Sequence, residues 1–575
     1  MCTTMKKIIY ISSLLGVLSL TSCEKLLDEK PEYTVNSITA FDSETSANMA
    51  LQGCYAYLTE YNLYGQNFQE LLVGPSGLAF GQNNNIGYAE FVSLNISETN
   101  TTVSLSWSGL YKVISECNYL IAGVEKSNLS DAFKGQAIGE ARFLRALCYF
   151  NLANLFGGVP LRIDPTTSTT VDLPKSTREQ VYAQAEQDWK YAAENLNAAK
   201  SSGRASKYAA YAYLTKLYWT LASAEGGSSP NWAKAKEMGD QVIALGGYNL
   251  EDKFSKLFEN KSLGSVESIF QINFSSNTNG YGNRGNWVFS PTNSSNPGIS
   301  WARYRASKAF YDQFRGTYPD DPRLETTFMV QFKLIKTNNT VHYTYPYLYG
   351  AATTNTLATD SVNYTTLEDP TNPKVSELSE AMQVAFVRNG GRDYSWPYFK
   401  KQYDAAAMAQ NSNKNLLVYR YADFLLIMAD VEHELGNNSE AITFINKVLT
   451  RARNSAPNRT YPKNITTSTQ AELRDKIFYE RLFELAGEFD NFTDVRRRGE
   501  AYFAKVLERH DNHHVTRAQV EYNKSLNNNL AFMDYLILEN VNKNELLKRN
   551  LLLPIPRNEL NTNGGLTNED QNYGY

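Results

Sequence analysis

The sequence predicts a mainly α-helical protein built of tetratricopeptide-like helix pairs, with long loops and a few short strands. Three observations predict it. Apolar residues recur at steps of three or four through residues 107–245 and again through 419–489, which puts them on one side of successive helices. Small residues packed among bulky ones repeat in pairs of such stretches, at a loose period near the roughly 34 residues of a tetratricopeptide repeat. Between about Glu251 and Asn415 the pattern gives way to segments rich in Asn, Gly, Ser and aromatics.

The 575 residues can hold several cores or one large one, because a single core stops growing at roughly 250 to 300 residues. With 42% hydrophobic and 20% charged residues the chain reads as globular, and the aromatic content is high at 13%, led by 38 tyrosines. The formal charge is -4, and no Lys/Arg cluster is large enough to follow a phosphate backbone, which argues against nucleic acid as a partner.

At the start, Lys6 and Lys7 precede the apolar run Ile8 to Leu20, and small residues lead to Cys23. This is the layout of a secretory signal. The run is too short for a membrane-crossing helix, which needs roughly 20 apolar residues, and no later segment comes near that. The residues LTSC at Leu20 to Cys23 resemble a bacterial lipobox, which implies lipid on Cys23 and removal of residues 1–22. The mature chain then keeps Cys54, Cys117 and Cys148, each inside a helix-like apolar pattern and expected to be a buried thiol without a disulfide. Glu24, Asp28, Glu29 and Glu32 follow the anchor and loosely resemble a surface-export tag, diluted by Lys25 and Lys30.

Helices follow in order. Leu110, Tyr111, Ile114, Cys117 and Ile121 mark one stripe beginning at Trp107, and Ala137, Ala141, Leu144, Cys148, Leu152 and Leu155 mark a second that stops at Gly157 and Gly158. Ser176 and Glu179 stand in capping-box register before Val181, Ala185, Trp189 and Leu196. Two more helices are expected at about Ala205 to Ala222 and Trp232 to Leu245, and Trp107 and Trp189 are expected in the core. SVESIFQINF at Ser265 to Phe274 reads as a strand. Helices return at Tyr419, Ser439 and Thr469.

The loop Ser275 to Tyr304 is too long to be a connector, and a disordered loop has little use for its aromatics. A sugar ring has an apolar C–H face and a hydroxyl edge, so exposed aromatic planes beside amides and charged groups suit it. Tyr281 and Trp287, flanked by Asn283, Arg284 and Asn286, are the first candidates for a ligand platform, with Trp301 and Tyr304 next. Burial under the loop is the competing reading for each aromatic. Further aromatic patches lie at His342 to Gly350 and Arg392 to Phe399.

Evidence for catalysis is thin. Glu480, Glu484 and Glu488 recur every four residues on one expected helix, where ion pairs with neighbours such as Arg474 and Arg481 outweigh a glycosidase role. The motifs G-x-S-x-G, H-E-x-x-H and the Walker A loop are missing, and no cofactor is implied. His510, Asp511, His513 and His514 crowd one stretch that reads as a solvated loop before it reads as a metal site. Arg496, Arg497 and Arg498 read as partners of acids on a neighbouring helix.

Several stretches together resemble the SusD/RagB family: Asn118 in WSGLYKVISECNYLI, GEARFLRALCYFNLANLFGGVPL at Gly139 to Leu161, GRASKYAAYAYLTKLYW at Gly203 to Trp219, YRYADFLLIMADVEHELG, INKVLTRAR, ERLFELAGEF and the terminal LLPIPRNELNTNGGLTNEDQNYGY. The matches run in the family's order over essentially the whole chain. Departures are GEFDNFTDVRRRG in place of the family's EG.RWFDLRRW segment, and a tail ending QNYGY where QNPGY is usual. The resemblance implies a non-enzymatic outer-membrane lipoprotein, exposed at the surface, that captures nutrient as the hinged lid of a SusC-like TonB-dependent β-barrel. Its ligand is expected to be an oligosaccharide or polysaccharide, with a peptide or a purely scaffolding role as alternatives. The expected organisation is a signal at 1–22, anchor and tether at 23–42, a helical-repeat part at 43–250, and a C-terminal part at 251–575 carrying the ligand loops and closing helices.

Overall fold

The structure, a computed structural model, describes residues 40–81, 86–167, 170–259, 264–275, 281–291, 300–334, 340–343, 397–405, 407, 410–507 and 543–575. Cys23, the acidic tether and the His510 to His514 stretch lie outside them. Most of the 342–350 and 392–399 patches do too.

Helix pairs form the body, as the apolar periodicity requires. Thr101–Lys126 packs on Asp131–Phe156, which packs on Arg178–Asn195; Lys207–Glu225 follows against Asn231–Leu245. Asp131–Phe156 is central, since every residue from Gly139 to Phe156 except Arg142 and Asn151 is buried. It starts where Ser130 Oγ accepts the Phe133 N–H at 3.4 Å and stops at Gly157, whose φ of 75° lies in the region that favours glycine. The capping box of the next helix sits one residue later than its sequence suggests, at Thr177 and Gln180. Trp107 and Trp189 are core residues, and Cys54, Cys117 and Cys148 are buried free thiols.

A buried polar tie crosses these pairs. Arg145 grips Asp188 through two bonds of 2.8 Å and donates to Asn118 Oδ1 at 2.7 Å and to the Ile163 carbonyl at 2.9 Å. Four segments are thereby joined at one guanidinium.

The second helical group is Tyr421–Glu434, Asn438–Asn454 and Gln470–Glu484. Tyr419 and Arg420 are not its first turn: Leu416–Arg420 is a strand, paired antiparallel with Ser268–Ile272. A backbone partner some 150 residues away outweighs the local helical pattern.

Glu480, Glu484 and Glu488 find partners other than Arg474 and Arg481, and the helix ends at Glu484, so Glu488 lies beyond it. Arg323 meets Asp321 at 2.7 Å, Glu480 at 2.5 Å and Glu484 at 2.7 Å; Arg420 meets Glu267, Glu484 and Glu488 at 2.9, 2.6 and 2.7 Å. Arg451 joins Glu267 and Glu484, and Lys401 joins Glu488. Burial raises a carboxyl, yet Arg451, Arg420 and Arg323 together hold Glu484 far below the usual carboxylate range. Burial prevails at Glu480, which is pushed up to about 7. Arg474 instead pairs with Glu434, and Arg481 with Asp423 and Asp494. The arginine run divides: Arg497 and Arg498 share Asp430, whereas Arg496 donates to the carbonyls of Asn550, Phe492 and Pro75.

The last residues clasp the first helical pairs. The Leu553 N–H donates to the Leu155 carbonyl at 2.7 Å, Asn572 Nδ2 donates to the carbonyls of Phe156 and Leu553, and Asn563 Nδ2 donates to the Leu173 carbonyl. Two of the quoted sequence stretches, 139–161 and 552–575, are thus halves of one contact.

Candidate functional site

The site grows from two short elements. The helix Asn67–Val73 is buried along its whole length, and Gly285–Phe289 forms a single helical turn beside it. The Arg284 N–H donates to the Gly65 carbonyl at 2.8 Å, which fixes the start of that turn. Next, the Trp301 N–H donates to the Trp287 carbonyl at 2.7 Å and the Arg303 N–H to the Val288 carbonyl at 2.8 Å. Between them Ala302 adopts a left-handed φ of 51°, a conformation that costs an alanine about 1–2 kcal/mol. The strand Tyr304–Ala306 then pairs with Ala79–Gly81 and anchors the return.

This backbone stacks rings and guanidiniums in one column. Arg284 lies 3.4 Å over the Tyr61 ring and 5.1 Å from Trp287; Trp287 contacts Trp301; Arg303 lies 3.4 Å under Trp301 and 4.2 Å from Tyr88. Cation–π contacts of this kind contribute about 0.5–2 kcal/mol each. Trp301, held between Trp287 and Arg303, is still 36% exposed at its remaining edge, while Tyr61, Arg284 and Tyr88 are half-buried at its side.

A polar relay underlies the column. Glu70, fully buried, accepts from Arg303 at 2.5 Å and from Gln66 at 3.0 Å, and the Gln66 oxygen accepts from Arg284 at 3.0 Å. Burial pushes the Glu70 carboxyl above its ordinary value, against the opposing pull of Arg303 and Gln66. One glutamine and one glutamate therefore set the position of both cations.

The seven residues singled out from sequence divide into three groups. Trp301 and Arg284 face the platform, and Trp287 supports it from below, 3% exposed. Asn283, Asn286 and Tyr304 are buried and do not present side chains at the surface. Asn283 donates to the Lys414 carbonyl and accepts from Gln69 and from the Gly285 N–H; Asn286 accepts from the Asp404 N–H and Ser290; Tyr304 sits in the strand against Tyr88. These loop amides satisfy backbone groups at Gly285, Asp404 and Lys414, as buried polar groups must. Tyr281 donates to Glu60 at 3.3 Å and lines a separate cleft of about 410 Å³ with Tyr55, Thr59, Phe270 and Asn273.

Sequence reasoning missed Tyr61, Gln66, Glu70, Tyr88 and Arg303. Only two carried a signal: Arg303 inside the aromatic stretch WARY, and Glu70 as a lone carboxylate in the run NFQELLV. Among the described residues no cluster of three His, Cys, Asp or Glu could hold a metal ion, and no helix is long and apolar enough to cross a membrane. The arrangement can bind: a partly exposed indole with a half-buried cation nearby suits a ring bearing polar substituents.

Comparison with known proteins bears on the whole chain. A family profile described as "SusD family" matches residues 266–575, and one described as "Starch-binding associating with outer membrane" matches residues 25–219. SusD-like protein P25 of Formosa agariphila is 25% identical over 511 residues, covering 84% of this chain and 88% of that protein. A SusD-like protein of Bacteroides ovatus is 27% identical over 277 residues, 47% of this chain and 50% of its own. The crystal structure of a SusD homologue from Bacteroides thetaiotaomicron superposes with a TM-score of 0.74 at 20% identity, covering 93% of this chain and 97% of that one. A structure described as a laminarin binding SusD-like protein gives 0.64 at 21% identity, covering 93% and 100%.

Proposed function

The chain belongs to the SusD family, and from that premise we propose that it is a glycan-capturing lipoprotein on the outer-membrane surface, lid to a SusC-like TonB-dependent β-barrel. SusD family proteins are non-catalytic binding proteins, and the ion-paired state of Glu480, Glu484 and Glu488 accords with that. The observation that carries the glycan reading is the partly exposed indole of Trp301, held in place by Trp287 and Arg303. An aromatic surface held rigid by its neighbours meets a sugar ring without first being ordered. The relative described as laminarin binding supports a glycan as the ligand class. The outer-membrane association in the second profile's description supports the location, as does the lipobox-like LTSC before Cys23.

In this reading residues 43–250 are the scaffold that faces the barrel, and the platform of residues 284–303 faces the incoming glycan. Two experiments test it. Residues 24–575 should be retarded in gels containing one member of a glycan panel, and a panel without any retardation, for a protein that still co-purifies with a β-barrel, would leave a scaffold without its own ligand. Cys23→Ala should abolish acyl labelling and membrane retention; unchanged retention would remove the lipid anchor from the account.

A further inference from the structure

The charge of the platform points beyond glycans in general. Glu70 is spent on Arg303, so that pair is neutral. Arg284 has a different environment: it meets the Gln66 oxygen and the rings of Tyr61 and Trp287, and among the described residues it forms no ion pair. The buried guanidiniums Arg145, Arg323, Arg420, Arg451, Arg481 and Arg497 each face a carboxylate. Arg496 fills its donors with three carbonyls instead. Arg284 has neither arrangement, although it is half-buried against Trp287, the ring on which the exposed Trp301 packs.

We propose that the platform selects acidic glycans, with a carboxylate or sulfate of the sugar pairing with Arg284 while the ring lies against the exposed part of Trp301. The inference rests on the glycan-binding reading above and adds the ligand's charge. A half-buried cation has lost part of its hydration, and an anion held by guanidinium N–H groups restores that loss in a way that a hydroxyl does not. The planar fork of arginine matches both carboxylate and sulfate, which lysine matches less well. Burial and the nearby Arg303 also lower the Arg284 pKa from its usual value, as expected for a cation that has not met its counter-ion.

The test uses residues 24–575 with polygalacturonate and alginate as carboxylate probes, carrageenan as a sulfate probe, and laminarin and xylan as neutral ones, read by affinity electrophoresis and calorimetry. One acidic probe should bind about tenfold or more tighter than any neutral probe, the scale of a charge-assisted hydrogen bond. That preference should shrink several-fold between about 50 and 300 mM salt. Arg284→Gln should erase the preference, and Arg284→Lys should keep part of it. Carboxylate and sulfate arms separate the two anion types. A neutral glycan bound most tightly would overturn the inference while leaving the proposed function intact. So would an acidic glycan bound equally by Arg284→Gln. A panel with no binding at all would overturn both.

Discussion

Replacing Trp301 by alanine tests the platform most directly. The residue is 36% exposed, and a tryptophan offers up to about 250 Å², so about 90 Å² stands open to a ligand. A sugar covering all of it removes that area from water at roughly 25 cal/mol per Å², or about 2 kcal/mol. The expected outcome is a dissociation constant raised roughly 40-fold for whichever glycan of the panel binds. The ring rests on Trp287 and Arg303 without being enclosed, so the variant should fold normally. Calorimetric titration gives the affinity and a thermal melt checks the fold. A folded Trp301→Ala protein with affinity within about threefold of the parent would refute the platform. Trp301→Phe should retain roughly half of the lost free energy, because a smaller ring still stacks.

Other outcomes follow from the ion pairs. Arg145→Met leaves Asp188 buried without its partner, a loss of about 3–5 kcal/mol. With an unfolding entropy of about 2.1 cal/mol/K per residue over the whole chain, that is a Tm drop of about 3 °C by calorimetry if the chain melts as one unit. Adding Asp188→Leu should recover about half of it, leaving about 1–3 kcal/mol for the orphaned Asn118 and Ile163 oxygens; losses that simply add would show no coupling. Burial raises the Asp430 carboxyl, but Arg498 and Arg497 outweigh it and hold it at about 2. A depressed carboxyl contributes stability above its unfolded value near 3.8 and loses it as pH falls towards about 2, so the Tm gap between parent and Asp430→Asn should close over that window. A gap that stays constant from pH 5 to about 2 would mean that Asp430 acts through packing alone.

Long periodic segments were legible because each helix carries its own apolar stripe. Asp131–Phe156 and Lys207–Glu225 needed no distant partner to be recognised. Leu416–Arg420 did need one, since its backbone pairs with Ser268–Ile272, and the helical reading of YRYADFLL therefore began too early. The site divides in the same way. Aromatic content marked the 281–304 loop, but exposure is decided by what lies beneath each ring. Gln66 and Glu70, more than 200 residues away, seat Arg284 and Arg303. Asn283 had the composition of a ligand amide and serves instead to close the turn before Gly285.

The clasp at the end of the chain has a consequence for biogenesis. Asn572 completes the carbonyl of Phe156 across 416 positions of sequence, and Leu553 completes that of Leu155. A ribosome therefore finishes the central helix pairs long before their last hydrogen-bonding partners exist. Until those partners arrive the N-terminal half keeps open carbonyls and uncovered apolar surface, so its native packing is completed only by the last residues to be made.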